Sequence, residues 1–355
     1  MPTSEPTVSS WKLNPFLHVD GDRIYNPLTD RTITLSDASS APLREFIDNG
    51  SPEDELERDG WIVRETADLS THYRLKIVSL ELTTTCNQKC YFCPVSIAPR
   101  SDHQMSEELF ARILEQLIPI TSIEGVFLQS YNEPSLDRHF VDHCRAVHDA
   151  GLPVAVLSNG SGFTPAVVDA LIASAPLRYL CINLSTIDRA RYAADRGGDH
   201  LPAVLRNLDY LKGKPLAQQM NLAVLGRGDD LHKSDFALIR ERFAGSRFDV
   251  QSHLVMDRAG WLSIGMKPPT PLKGLAGCDN IGSRPLQHLH ITPHGKCVLC
   301  CEDYDERYVI GDLTTSSVAE VLHGPEVARL RRWAYGVEEA PDDFICRNCV
   351  FARSR

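Results

Sequence analysis

Three cysteines, Cys86, Cys90 and Cys93, stand in the run Cys86-Asn87-Gln88-Lys89-Cys90-Tyr91-Phe92-Cys93, spaced C-x3-C-x2-C directly after an apolar stretch at 75–82. Thiolate is the usual ligand of iron–sulfur clusters, and a complete set for a 4Fe-4S cube is four. Three thiolates leave the fourth iron open. An open iron beside a strand end can take a substrate or cofactor, because sites form at the carboxyl ends of barrel strands. The pattern is that of an enzyme. A zinc site is the alternative, but zinc wants a fourth ligand and usually paired C-x2-C units.

A second group lies near the end of the chain. Cys278 precedes Gly295-x4-Cys300, and Cys346-x2-Cys349 follows. These four thiolates, from a hairpin and a distant C-x2-C, suffice for a closed 4Fe-4S cluster. They could equally build a structural zinc site.

The elements that must position these groups alternate along the chain. Short apolar runs at 77–82, 125–129, 154–157, 179–184, 222–225 and 248–255 read as six strands. Helical periodicity separates them at 106–117, 138–150, 165–173, 201–211 and 236–243. Strands alternating with helices imply parallel βαβ units and an α/β layer or barrel. Residues 1–72 differ: Asp20-Gly21-Asp22 marks a turn between two strand-like pieces, 42–47 reads as a short helix, and 55–63 as helix, turn and strand. After Gly260, the cluster Lys267-Pro268-Pro269-Thr270-Pro271 reads as a linker. A hairpin around Pro293-His294-Gly295 and a helix over 318–333 are expected beyond it. The expected parts are therefore 1–72, 73–262 and 263–355.

With 355 residues, 43% of them hydrophobic, the chain can bury a large core. Its net charge of -10 argues against binding along a nucleic-acid backbone, which needs a basic face. Residues 1–10 are polar and carry two prolines, unlike a secretory leader. The expected compartment is thus a reducing cytoplasm, where grouped cysteines are metal ligands or redox groups more often than bridges. No apolar run is long enough to predict a membrane span.

The first cysteine motif, with Phe92 before its last cysteine, resembles the hallmark of the radical S-adenosylmethionine (SAM) superfamily. The resemblance implies a partial (β/α)6 barrel whose open iron chelates SAM. Reductive cleavage then gives a 5'-deoxyadenosyl radical that abstracts hydrogen from a substrate carbon. Tyr131-Asn132-Glu133-Pro134 resembles the family's glycine-glycine-glutamate motif, although Tyr131 and Asn132 replace the glycines; Glu133 carries over as the acceptor for the SAM ammonium. Ser158 and Asn159 resemble the third-strand segment near the SAM ribose. Asn183 and Ser185 resemble the fourth-strand polar pair near ribose and carboxylate, and Arg196 is a partner for that carboxylate. Strand alternation puts Cys181 on the same face as Asn183 and Ser185. It is either a lumen thiol or a small buried hydrophobe.

The C-terminal set resembles the abridged SPASM domain, called twitch, which holds one auxiliary cluster. In that pattern Cys278, Cys300, Cys346 and Cys349 are the ligands, with Cys300 selected over Cys297 and Cys301 by the glycine-x4-cysteine spacing alone. Asp257-Arg258-Ala259-Gly260 recurs in SPASM-type enzymes and offers Arg258 or His253 to substrate. The N-terminal part resembles the winged-helix peptide-recognition modules fused to peptide-modifying relatives. Two 4Fe-4S clusters, SAM, a flavodoxin- or ferredoxin-like one-electron reductant and a small-molecule or oligosaccharide substrate follow as expectations. The expected reaction is epimerisation of a carbohydrate stereocentre in antibiotic or other natural-product biosynthesis. A non-ligand cysteine (Cys144, Cys181, Cys297 or Cys301) would return the hydrogen. Dehydrogenation of a sugar or aminocyclitol alcohol and maturation of a ribosomal peptide are the alternatives.

Overall fold

The computed structural model describes residues 10–265 and 267–355. The polar start of the chain, residues 1–9, lies outside the described residues. The N-terminal part comprises β1 (Trp11–Leu13), β2 (His18–Asp20), β3 (Arg23–Asn26), β4 (Arg31–Thr34), α1 (Ala41–Asn49), α2 (Asp54–Arg58) and β5 (Ile62–Arg64). Strands β2, β3 and β4 form an antiparallel meander, and β1 pairs with β5. Leu17, Ile24, Leu43, Phe46, Leu56, Trp61 and Ile62 give it a small core of its own.

The barrel strands are β6 (Ile77–Leu80), β7 (Gly125–Phe127), β8 (Val154–Ser158), β9 (Leu177–Asn183), β10 (Ala217–Gly226) and β11 (Phe248–Leu254). Each pairs in parallel with the next. The connecting helices are α3 (Glu107–Leu117), α4 (Phe140–Asp149), α5 (Pro165–Ser174), α6 (Arg189–Arg196), α7 (Leu201–Leu211) and α8 (Asp230–Arg242). All six expected strands and five expected helices are present. Helix α6 is the addition. It buries only Tyr192 and Arg196, so it has no apolar stripe to betray it. Its caps are local signals: Asp188 accepts from the Arg191 N–H, and Gly197 closes the helix in left-handed geometry at φ 68°.

The C-terminal part contains β12 (Leu275–Cys278), α9 (Arg284–Gln287), β13 (His288–Ile291), β14 (Lys296–Val298), β15 (Val309–Asp312), α10 (Val318–His323), α11 (Pro325–Ala334) and β16 (Ala352–Ser354). The single helix expected over 318–333 is two. Gly324 is extended at φ -65° and ψ 157°, and Pro325, which has no N–H to donate, starts α11. Strand β13 pairs in parallel with β6, His288 beside Ile77 and Ile291 beside Leu80. One sheet of nine strands therefore runs β11-β10-β9-β8-β7-β6-β13-β14-β15 across the 262/263 boundary. Its hydrophobic core is likewise continuous, from Val78 and Leu80 to Leu289, Leu330 and Phe344. Among the described residues no helix is long and apolar enough to cross a membrane.

Candidate active site

Strand register decides what faces the barrel interior. Val78, Val126, Val154, Leu180 and Met220 lie in the core under the helices, so their strand neighbours face the other way. Pairing puts Ser79 beside Phe127 and His290, and Leu157 beside Cys181 and Asn221. Higher up, Asn183 pairs with Ala223, which pairs with Gln251. The interior is thus more polar than the helix-facing side. Cys181 is 7% exposed and lies on this face, outside the main core.

Residues 84–93 form a loop without helix or strand. Two backbone bonds tie it to the end of α6, Lys89 N–H to Arg196 O (2.8 Å) and Tyr91 N–H to Asp195 O (3.0 Å). Gln88 Nε2 donates to the Tyr192 hydroxyl at 2.9 Å. Asn87 receives Asn159 Nδ2 at 2.8 Å and donates to Ser161 Oγ at 3.0 Å. Gly197 fits here because a Cβ would lie 3.0 Å from that of Lys89.

Arg196 is the centre of this arrangement. Its Nη2 donates to Asn183 Oδ1 (2.6 Å) and Ser185 Oγ (2.7 Å), and Nη1 donates to Gln88 Oε1 (3.3 Å). Nη1 also stands 3.7 Å from Cys90 Sγ, and the guanidinium lies 5.0 Å from the Phe92 ring. The expected two-point grip on a carboxylate meets both Nη atoms already engaged; Nε is the buried donor without a partner.

Glu133, 2% exposed, accepts from Ser158 Oγ (2.7 Å) and Ser135 N–H (3.2 Å) on Oε1. Oε2 receives only the Asn159 N–H at 2.6 Å. Burial pushes its carboxyl above the ordinary range. Oε2 keeps lone-pair capacity for one further donor, which an ammonium would supply. The structure thus brings Glu133, Ser158 and Asn159 together and gathers Asn183, Ser185, Phe92 and Cys90 around Arg196, with the cysteine loop bonded to the first group through Asn87 and to the second through Gln88. His253 is not among them: it is exposed on the edge strand β11 and contacts Gln251.

None of the eleven cysteines is paired in a disulfide. Cys278, Cys300, Cys346 and Cys349 line one cavity with Arg284, Leu299, Glu302 and Ile345. Cys297 is fully buried in the main core instead. Burial pushes the Cys86 and Cys349 thiols up to about 12, and Cys93, Cys300 and Cys346 upward as well. Such donors become thiolates when a metal supplies the compensating charge. Among the described residues no three or more His, Cys, Asp or Glu side chains are gathered closely enough for a single metal ion. Thiolates around one zinc sit about 3.8 Å apart, given Zn–S bonds of about 2.3 Å. Cysteines lining a cavity suit a multi-iron cube better.

Several residues that sequence reasoning passed over connect the two cysteine sets. Glu302, 2% exposed, lies 2.9 Å from Arg284 Nη1 and 3.4 Å from Arg258 Nη1. Burial alone would raise its carboxyl, but the two guanidiniums outweigh this and hold it below 4.5. The Arg258 guanidinium is 5.7 Å from the Tyr131 ring, and the Tyr131 hydroxyl donates to Cys301 O. Tyr131, Tyr304 and Trp261 pack edge to face at 4.8 and 5.2 Å, together with Cys93 and Val95. Glu81 holds Arg100 through both oxygens (2.5 and 3.0 Å) and accepts the Tyr131 N–H. Adjacency to Cys300 and Cys301 was the one local signal for Glu302.

A profile of the radical SAM superfamily matches residues 80–237, and a profile of SPASM, an iron-sulfur cluster-binding domain, matches residues 278–350. The chain is 20% identical over 284 residues to the S-adenosyl-L-methionine-dependent 2-deoxy-scyllo-inosamine dehydrogenase of Niallia circulans, covering 77% of this chain and 92% of that protein. It is 26% identical over 90 residues to the tungsten-containing aldehyde ferredoxin oxidoreductase cofactor-modifying protein of Pyrococcus furiosus, 25% of each chain. Among solved structures, BtrN in complex with AdoMet and 2-DOIA superposes with TM-score 0.52 and 14% identity, over 78% of this chain and 93% of that one. Streptococcus suis SuiB bound to precursor peptide SuiA gives TM-score 0.60 at 12% identity, over 96% and 91%. Likeness at these identities shows a shared fold. The match of both profiles to the segments carrying the two cysteine sets closes the argument: the chain belongs to the radical SAM superfamily, an enzyme that uses SAM and iron–sulfur clusters and carries a C-terminal SPASM-type domain.

Proposed function

We propose that this enzyme oxidises a secondary alcohol of a small cyclitol or sugar to the ketone. The observation that carries the reading is the buried line from Cys93 through Tyr131 and Arg258 to Glu302 and Arg284, which joins the barrel interior to the C-terminal cysteine cavity. Taking CH–OH to C=O removes a hydrogen atom, a proton and one further electron. An electron acceptor must therefore lie close to the substrate. Bound to Cys86, Cys90 and Cys93, a cluster with SAM supplies hydrogen-atom removal, and a cluster on Cys278, Cys300, Cys346 and Cys349 supplies one-electron acceptance. Around them, Glu133 and Arg196 would orient SAM with Ser158, Asn159, Asn183, Ser185 and Phe92. Arg258 would present its guanidinium to the substrate oxygen, and the aromatic wall of Tyr131, Trp261 and Tyr304 would exclude water. A flavodoxin- or ferredoxin-like donor would supply the priming electron. The 2-deoxy-scyllo-inosamine dehydrogenase relative, matched over most of both chains, supports this choice over epimerisation.

A second reading is favoured by Cys181. It faces the interior, and burial pushes its thiol up to about 11, so it keeps an S–H that could return a hydrogen atom to carbon in an epimerisation. Turnover of 2-deoxy-scyllo-inosamine in deuterium oxide with SAM and a chemical reductant separates the two. A ketone product, formed equally by Cys181→Ala, supports oxidation. An inverted carbinol bearing one deuteron, lost in Cys181→Ala, overturns it.

A further inference from the structure

Asp257 opens the turn after β11. Both of its carboxylate oxygens are buried without a hydrogen-bond partner, although the residue is only 8% exposed, and Nε of Arg258 is likewise unpaired. Arg258, Ala259 and Gly260 then take left-handed backbone in succession, at φ 56°, 54° and 85°. Only the glycine adopts this freely. The turn is closed by the Leu262 N–H on Asp257 O at 2.7 Å and by the Trp261 N–H on Arg258 O at 3.2 Å. It sits between the two halves of the site. Val255, Leu262 and Ile264 pack with Cys90 and Phe92, Trp261 packs with Cys93 and Tyr304, and Arg258 reaches Glu302.

An ionised carboxylate withdrawn from water with neither oxygen bonded is among the costliest polar arrangements in a protein. The chain does not relieve it: Arg258, its sequence neighbour, turns to Glu302. The missing partner must bring several donors and a positive charge. The chain's net charge of -10 favours the approach of such a group. We propose that Asp257 anchors a cationic amine of the substrate, so that the substrate is an amino alcohol, an aminocyclitol or amino sugar, and not a neutral polyol. Accepting N⁺–H bonds, the carboxylate gains the counter-charge that it lacks, while Arg258, held by Glu302 through Nη1, keeps its unpaired Nε for the substrate oxygen. The assignment rests on the alcohol-oxidation reading for the place of the substrate, and goes beyond it in naming the group recognised.

Binding without turnover tests it. The iron-loaded enzyme with SAM and no reductant is titrated calorimetrically with 2-deoxy-scyllo-inosamine and with the cyclitol carrying a hydroxyl in place of the amine. Glucosamine and glucose serve as a second pair. The parent should bind the amine of at least one pair roughly tenfold or more tightly, the effect expected of one charge-assisted contact. Asp257→Asn, nearly isosteric, should erase that preference while iron content and SAM affinity stay unchanged. A parent without any amine preference overturns the proposal, and needs no variant to fold. So does an Asp257→Asn enzyme that keeps the preference, or one whose SAM affinity falls instead, which would give Asp257 to the cofactor. If the preference depends on Asp257 but the amine is not oxidised once reductant is added, the anchor stands and the oxidation reading falls. If both members of a pair are oxidised equally well by parent and variant, the reverse holds.

Discussion

The two cysteine sets are supported in opposite ways. Cys86, Cys90 and Cys93 sit on a loop with no secondary structure, held by polar bonds to α6, Asn159 and Ser161. Cys278, Cys300, Cys346 and Cys349 line a cavity walled by Pro285, Leu299, Ile345 and Ala352 and by the buried ion pair of Arg284 and Glu302. The first support is made of the side chains that would also meet SAM, so order in the loop and occupancy of the site are coupled. The second is fixed by folding itself. The loop centre is anchored by hydrogen bonds to side chains that also reach the cofactor site, and the C-terminal centre by core packing and one buried ion pair.

The largest break in this contrast is chemical. Changing Cys86, Cys90 and Cys93 together to alanine should leave no detectable 5'-deoxyadenosine and remove about half of the iron, one cube's worth. Its unfolding midpoint should move little. The pair Cys346→Ala and Cys349→Ala should also remove about half of the iron, but lower the midpoint. Iron analysis beside thermal denaturation reads both, and equal midpoints would contradict the difference in support.

Glu302→Gln comes next, because it leaves Arg258 and Arg284 without their shared carboxylate. Removing one partner of a buried pair costs about 3–5 kcal/mol, measurable by urea unfolding. The sign with pH follows from its depressed value: the contribution is present above the ordinary glutamate range and is lost as pH falls through the lower folded value. The parent should lose this increment below about pH 4.3, and Glu302→Gln should not.

Arg196→Lys probes the first support. A lysine cannot span Asn183, Ser185 and Gln88 at once, so stability should fall by about 2 kcal/mol. SAM affinity should fall with it, whereas the iron on the C-terminal set should not change.

The smallest effect belongs to a control whose partners bond to neither cysteine set. His143 bridges Asp137 (2.8 Å) and Glu107 (3.2 Å) between α4 and α3. Burial lowers its pKa, but the two carboxylates outweigh that and raise it above 6.5. Its contribution is therefore full below about pH 6.5 and lost as pH rises through the folded value. His143→Gln should cost about 1 kcal/mol at pH 6 and less at pH 8, with both iron sites intact.

The barrel was legible because its strands are short apolar runs and five of its helices carry apolar stripes, local patterns that survive without tertiary knowledge. The cysteine triad was legible through spacing. Helix α6 was not, since its buried residues are Tyr192 and Arg196 and its remaining surface is polar. The break at Gly324-Pro325 was written in two residues and overridden by the periodicity around it. The salt bridges of Glu302 join residues 44 and 18 positions apart, and no local pattern encodes such pairing. Nor did alternation distinguish Cys297 from Cys300; only the packing of β14 into the core does so.

The pairing of β13 with β6 bears on how the polypeptide can be dissected. Cutting after residue 262 would strip β6 of its outer neighbour and leave a row of unpaired amides and carbonyls beside an apolar face. Such an open edge is a template for strand addition by another chain. The barrel segment produced alone should therefore clump into aggregates, and a soluble half-enzyme is to be sought by retaining residues 284–313 instead of by trimming to the barrel.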